Sequence, residues 1–103
     1  MSEQTMTKER VSHSELSGSR WVIIIYNDPK TYREFVKKVL LNIFGKSDSE
    51  AESIIGTAES EGSAAVKYYT DPSLAEVAIS MVEGMKRNEN QPEFKIRLFE
   101  ILD

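Results

Sequence analysis

Asn27, Asp28, Thr31 and Glu34 are the polar residues whose spacing holds the most chemistry. They follow directly on Trp21-Val22-Ile23-Ile24-Ile25-Tyr26, an apolar, β-branched run of strand length that breaks at Asn27-Asp28-Pro29. Thr31 with Glu34 three residues on has the form of a capping box. The hydroxyl would accept from the Glu34 N–H, and the carboxylate would reach back to the N–H of Thr31. A strand end, a polar turn and a helix start then meet. Such a junction can hold a charged or hydrogen-bonding ligand. The other reading is a turn in which Asn27 and Asp28 satisfy their own backbone. Both stay open on spacing alone.

Other chemistry is scarce. The chain has no cysteine, and its single histidine, His13, lies in a polar N-terminal stretch. That removes a thiolate nucleophile, a histidine base and the usual zinc sites from the folded part. No phosphate-cradling glycine loop is present; the glycines at 45, 56, 62 and 84 are scattered. Asp48, Glu50, Glu52, Glu59 and Glu61 read as a solvated acidic face rather than an acid–base pair. A binding module is therefore expected rather than an enzyme, with no cofactor and no metal. The net charge of −4 carries no basic stripe, so nucleic acid is not an expected partner. Lys37-Lys38 and Lys86-Arg87 read as helix-face or helix-end charges. No run is long and apolar enough to cross a membrane, and no leader is recognisable at the N-terminus. The lack of cysteine suits a reducing cytoplasm.

The 103 residues suffice for one small domain. Residues 1–19 are polar and aperiodic and read as a flexible tail, leaving residues 20–103 as the domain. Within it, Arg20 or Trp21 to Tyr26 is the first strand, buried on one face and partly covered on the other. A helix over about Tyr32 to Phe44 carries Phe35, Val36, Val39, Leu40, Ile43 and Phe44 as its stripe, with Gly45 as a left-handed stop. A second helix starts near Ser47, capped through Glu50 or, from Ser49, through Glu52. It shows Ala51, Ile54, Ile55 and Ala58 to the core and closes at Gly62; Gly56 inside it suggests a close neighbour. Ala64 to Tyr69 alternates as a strand, Val66 and Tyr68 against Lys67 and Tyr69. Asp71-Pro72 opens a third helix with Leu74, Val77, Ala78, Met81, Val82 and Met85 as its core stripe, the methionines as filler. Phe94 to Ile101 alternates as the last strand. The expected class is α+β, order β-α-α-β-α-β, a three-stranded antiparallel sheet with the helices packed on one face.

The stretch Asn27-Asp28-Pro29-Lys30-Thr31-Tyr32-Arg33-Glu34-Phe35-Val36 resembles the opening of the Clp protease adaptor family ClpS. Similarity continues through Val39-Leu40, Phe44, Ala51, Gly62, Tyr69-Thr70, Ala75-Glu76 and Asn90-Gln91-Pro92, so that it covers about Trp21 to the C-terminus. The resemblance implies a monomeric, cytoplasmic, non-enzymatic adaptor. Such an adaptor binds proteins with a bulky apolar N-terminal residue, an N-degron, and delivers them to the N-domain of a Clp AAA+ unfoldase. On this resemblance Asn27 and Asp28 hold the α-ammonium. Thr31, Val36 and Ile55, with Ala58 beside them, line or border the side-chain pocket. Glu59 stands where the family has an ammonium-binding His, Arg33 where it has a gating Met, and Ala78 where it has a Lys that faces the unfoldase. The tail would assist delivery. These departures also imply an alternative: a ClpS-like interaction domain that has lost N-degron binding and serves another partner.

Overall fold

The computed structural model describes residues 20–102. The expectations for residues 1–19, including His13, lie outside the described residues. In chain order the elements are β1 (Trp21–Tyr26), α1 (Arg33–Asn42), α2 (Asp48–Glu61), β2 (Ser63–Tyr69), α3 (Pro72–Asn88) and β3 (Lys95–Glu100). β1 is the central strand of the sheet β2-β1-β3 and runs antiparallel to both neighbours. The α+β order is the one expected.

β1 is central because both of its faces are apolar. Ile23 and Ile25 enter the main core with Phe35, Val39 and Leu40 of α1, Ala51, Ile55 and Ala58 of α2, and Ala75, Ala78 and Val82 of α3. All three helices thus cover one face of the sheet. Val22 and Ile24 point the other way, into a smaller cluster with Ile101 flanked by Tyr26, Ala65, Tyr68 and Phe99. Both are fully buried, so the second face of β1 is closed rather than partly covered.

The alternation expected for β2 is broken by a bulge. Ile23 pairs with Lys67 and Ile24 with Ala65, which leaves Val66 as an extra residue. Val66 and Tyr69 therefore join the main core, and Tyr68 moves to the opposite cluster, away from the face it was expected to share with Val66. Hydrophobic alternation cannot register one inserted residue when both faces carry apolar side chains.

Helix ends follow local chemistry. Ser47 caps α2 through the capping box with Glu50: Glu50 N–H donates to Ser47 Oγ at 3.1 Å and Ser47 N–H donates to Glu50 Oε1 at 2.8 Å. Glu52 is not spent on a cap. Gly62 closes α2 at φ 95°, a left-handed conformation that lets the chain turn straight into β2. Gly56 has open space where a Cβ would stand, so among the described residues it lacks the close neighbour expected there. Asp71 caps α3 ahead of Pro72, accepting from Ser73 N–H at 3.0 Å.

The stripe expected on α3 divides. Ala75, Ala78 and Val82 face the core, and Ile79 and Met85 pack beside them. Leu74, Val77 and Met81 are 61%, 57% and 53% exposed. Met81 is thus not core filler. Two alanines and a valine make up the buried strip, which is narrow. The remaining apolar arc, one turn apart at each step, is left facing outward.

Candidate functional site

Three segments converge beside the C-terminal end of β1: the turn from Asn27 to Tyr32, the first turn of α1, and the second half of α2. Asn27 N–H donates to the carbonyl of Gly62 at 3.0 Å, which ties the strand end to the end of α2. Behind the turn, the Phe35 and Phe94 rings meet edge to face at 5.7 Å between centroids, which seats the start of α1 on the sheet.

The turn is organised by Asp28 rather than by Thr31. Asp28 Oδ1 accepts from the N–H groups of Lys30 and Thr31, both at 2.8 Å, and Oδ2 accepts from the Thr31 hydroxyl at 2.7 Å. The expected Thr31–Glu34 capping box is therefore not formed. Tyr32 is the N-cap of α1 without a side-chain cap bond. Its N–H donates to Oε1 of the buried Gln91 at 3.0 Å, and its carbonyl accepts from Phe35 and Val36. An ionised carboxylate is a stronger acceptor than a hydroxyl, so Asp28 draws the Thr31 proton inward. Partial burial pushes the Asp28 carboxyl up, but the three donated bonds outweigh it and hold its pKa below the ordinary value. A carboxylate has about four lone-pair sites, of which three are used, so one acceptor position remains. The Asn27 amide is exposed and has no hydrogen-bond partner among the described residues.

A cavity of about 110 Å³ opens at this junction, lined by Ile25, Tyr26, Asn27, Asp28, Thr31, Arg33, Val36, Ile55, Ala58 and Glu59. The eight residues carried over from the ClpS resemblance (Asn27, Asp28, Thr31, Arg33, Val36, Ile55, Ala58 and Glu59) are on that lining, and Glu34, singled out with the turn, is not. Ile25, Val36, Ile55 and Ala58 supply apolar wall. Asn27, Asp28, Thr31, Arg33 and Glu59 supply the polar groups.

Arg33 and Glu59 meet across the mouth. Arg33 Nε donates to Glu59 Oε2 at 3.0 Å and Nη2 donates to Glu52 Oε1 at 2.9 Å. Lys37 Nζ holds the other Glu52 oxygen and Asp48 Oδ1, each at 3.0 Å. The bonds from Arg33 and then Lys37 keep the Glu52 carboxyl below its ordinary pKa. Lys37 is thus a bridge between α1 and α2 rather than a solvated charge, and Lys38 pairs with Glu89 at 2.9 Å.

Three participants were not singled out from the sequence. Ile25 shares inward parity with Ile23 on β1, a signal that was available. Tyr26 lies next to Asn27. Glu52 is seven residues before Glu59 and so on the same face of α2, but which face meets Arg33 depends on how α1 lies across α2.

The sequence profile of the ATP-dependent Clp protease adaptor protein ClpS matches residues 17–95. The chain belongs to the ClpS family of Clp protease adaptors. The ClpS adapter of Acetivibrio thermocellus is 28% identical over 92 residues, covering 89% of this chain and 92% of that protein. The ClpS adapter of Oleidesulfovibrio alaskensis is 34% identical over 73 residues, covering 71% and 69%. Among solved structures, Agrobacterium tumefaciens ClpS2 bound to L-phenylalaninamide superposes with a TM-score of 0.72 at 24% identity, over 81% of this chain and 98% of that one. At that identity the likeness establishes the ClpS fold.

Proposed function

We propose that this chain is a non-enzymatic N-degron adaptor. It holds the free N-terminus of a protein whose first residue is bulky and apolar and presents that protein to a Clp AAA+ unfoldase. The observation that carries this is the cavity itself: a recess walled by Ile25, Val36, Ile55 and Ala58, with acceptors from Asn27, Asp28 and Glu59, that the described residues leave open. An apolar side chain would enter between Ile25, Val36, Ile55 and Ala58. Its α-ammonium would meet the Asn27 carbonyl oxygen, the remaining acceptor position of Asp28 and the carboxylate of Glu59. A dry cavity of ~150 Å³ admits a benzene ring, so a recess of 110 Å³ open at one end is of the right order for one leucine or phenylalanine side chain. The related ClpS2 of Agrobacterium tumefaciens, bound to L-phenylalaninamide, offers a ligand of that chemistry. The exposed Leu74, Val77 and Met81 beside Ala78 form a second apolar surface, on which we place the unfoldase N-domain. We take the adaptor to act as a cytoplasmic monomer.

A second reading has one observation behind it. The Arg33–Glu59 pair already occupies the rim carboxylate, as expected of a ClpS scaffold that has given up N-degron binding for another partner. Calorimetric titration with peptides beginning in Leu, Phe, Trp or Tyr separates the two. Binding of the free-amine peptides, lost on N-acetylation, is expected. Silence at millimolar peptide, with an unfoldase N-domain still captured, would favour the second reading.

A further inference from the structure

The site as read above contains a feature specific to this chain, and the following rests on that reading. We propose that Arg33 is an ionic gate that determines affinity: it holds the Glu59 carboxylate in the free protein, so that an incoming α-ammonium binds by exchange for the guanidinium.

Arg33 stands at the start of α1, and its side chain reaches across the mouth to α2 with two carboxylates to choose from. Glu59 lines the cavity and Glu52 does not. Five charges alternate in sign along the α1–α2 seam: Asp48, Lys37, Glu52, Arg33 and Glu59, each joined to the next at 3.0 Å or less. Glu52 is pinned by Lys37 and so serves as a fixed anchor outside the cavity. Glu59, at the end of the row, has Arg33 as its one cation among the described residues. An ammonium arriving at Glu59 meets a like charge at close range and displaces it. Arg33 does not then go unpaired, because the bond to Glu52 stays. The cost of opening is the Nε bond alone, and its side chain is 49% exposed, so solvent takes over that donor. The remaining rim charge, Asp28, is bound by its own turn and does not compete for Arg33.

The gate makes three substitutions behave differently. Arg33→Met frees Glu59 and tightens binding. Glu52→Gln, which is outside the cavity, removes the anchor, leaves Arg33 wholly to Glu59, and weakens binding. Glu59→Gln removes the contested group, so neither change alters affinity in its background. The experiment is calorimetry on the full chain with a Leu-initiated peptide, free and acetylated, at low and high salt, with thermal melts confirming that each variant is folded. Arg33→Met is expected to tighten binding about two- to fivefold at low salt. Its affinity is also expected to fall more steeply with salt than that of the wild type, because it forms an ion pair where the wild type exchanges one. Binding by Arg33→Met with none by the wild type would likewise support the gate. Unchanged or weaker binding by Arg33→Met would overturn it and leave the N-degron reading intact. No binding by either protein would overturn both.

Discussion

Asp28 shows how one side chain can settle what several could have done. Thr31 had the spacing of a cap, and Glu34 the spacing of its partner, but Asp28 Oδ1 takes the Thr31 N–H that Glu34 would have accepted, and the helix starts one residue later with Tyr32 as its N-cap. The same three bonds make the turn sensitive to pH. The Asp28 carboxyl is held below its ordinary value in the folded protein. Its contribution is therefore complete above the unfolded value of about 3.9 and is lost as pH falls through the depressed folded value. Thr31→Val removes the hydroxyl donor, at 2.7 Å the shortest of the three. A carboxyl-detected NMR titration is expected to place the wild-type Asp28 midpoint below 3.9 and to show it rising in Thr31→Val. An unmoved midpoint would mean that the two backbone N–H groups alone organise the turn.

Elements here do more than one task each, and α3 shows it most clearly. Its inward strip is Ala75, Ala78 and Val82, and its outward strip is Leu74, Val77 and Met81. Three exposed apolar residues on adjacent turns of one helix form a patch rather than scattered singletons. Because none is in the core, replacing Leu74 with Ser and Met81 with Gln should change stability by no more than about 0.5 kcal/mol. Peptide affinity should be unaffected as well, since the cavity is built from other elements. Capture of a Clp unfoldase N-domain is expected to fall at least tenfold in a surface-binding assay. Full capture by the double variant would remove α3 as the docking face. The helix α2 is shared in another way. Ala51, Ile55 and Ala58 close the core, Ile55 and Ala58 also wall the cavity, and Glu52 and Glu59 face Arg33.

For the molecule as a whole, one strand carries the design. β1 is buried on both faces and ends at Tyr26, just before Asn27, so the core and the site share their foundation. Leu40, fully buried under the sheet and one helical turn beyond Val36, is not on the cavity lining and so tests the core. Leu40→Ala is expected to cost roughly 2–5 kcal/mol, a large part of the ~5–15 kcal/mol that holds a domain of this kind folded. Urea denaturation would show it as a lowered midpoint with an unchanged slope. A loss below about 1 kcal/mol would mean that neighbouring side chains collapse into the space.

Much of the architecture is legible in the sequence itself. Ile23 to Ile25, Ser47 with Glu50 as one of two boxes open there, Gly62 and Asp71-Pro72 act through the chain immediately around them, so element order, the end of α2, the start of α3 and the helices' shared side of the sheet could be read, whereas the start of α1 could not. The eight cavity residues were legible as well, through the family resemblance that their order along the chain carries. Contacts between distant segments were not. The Val66 bulge depends on which β1 residue meets which β2 residue, and Tyr68 changes face with it. Which apolar residues of α3 stay outside depends on which strip of the helix the sheet and the other helices cover. The pairing of Arg33 with Glu52 and Glu59 depends on where α1 lies across α2. Local rules place residues within a turn or a strand, but only packing brings side chains 19 and 26 positions apart within hydrogen-bond reach.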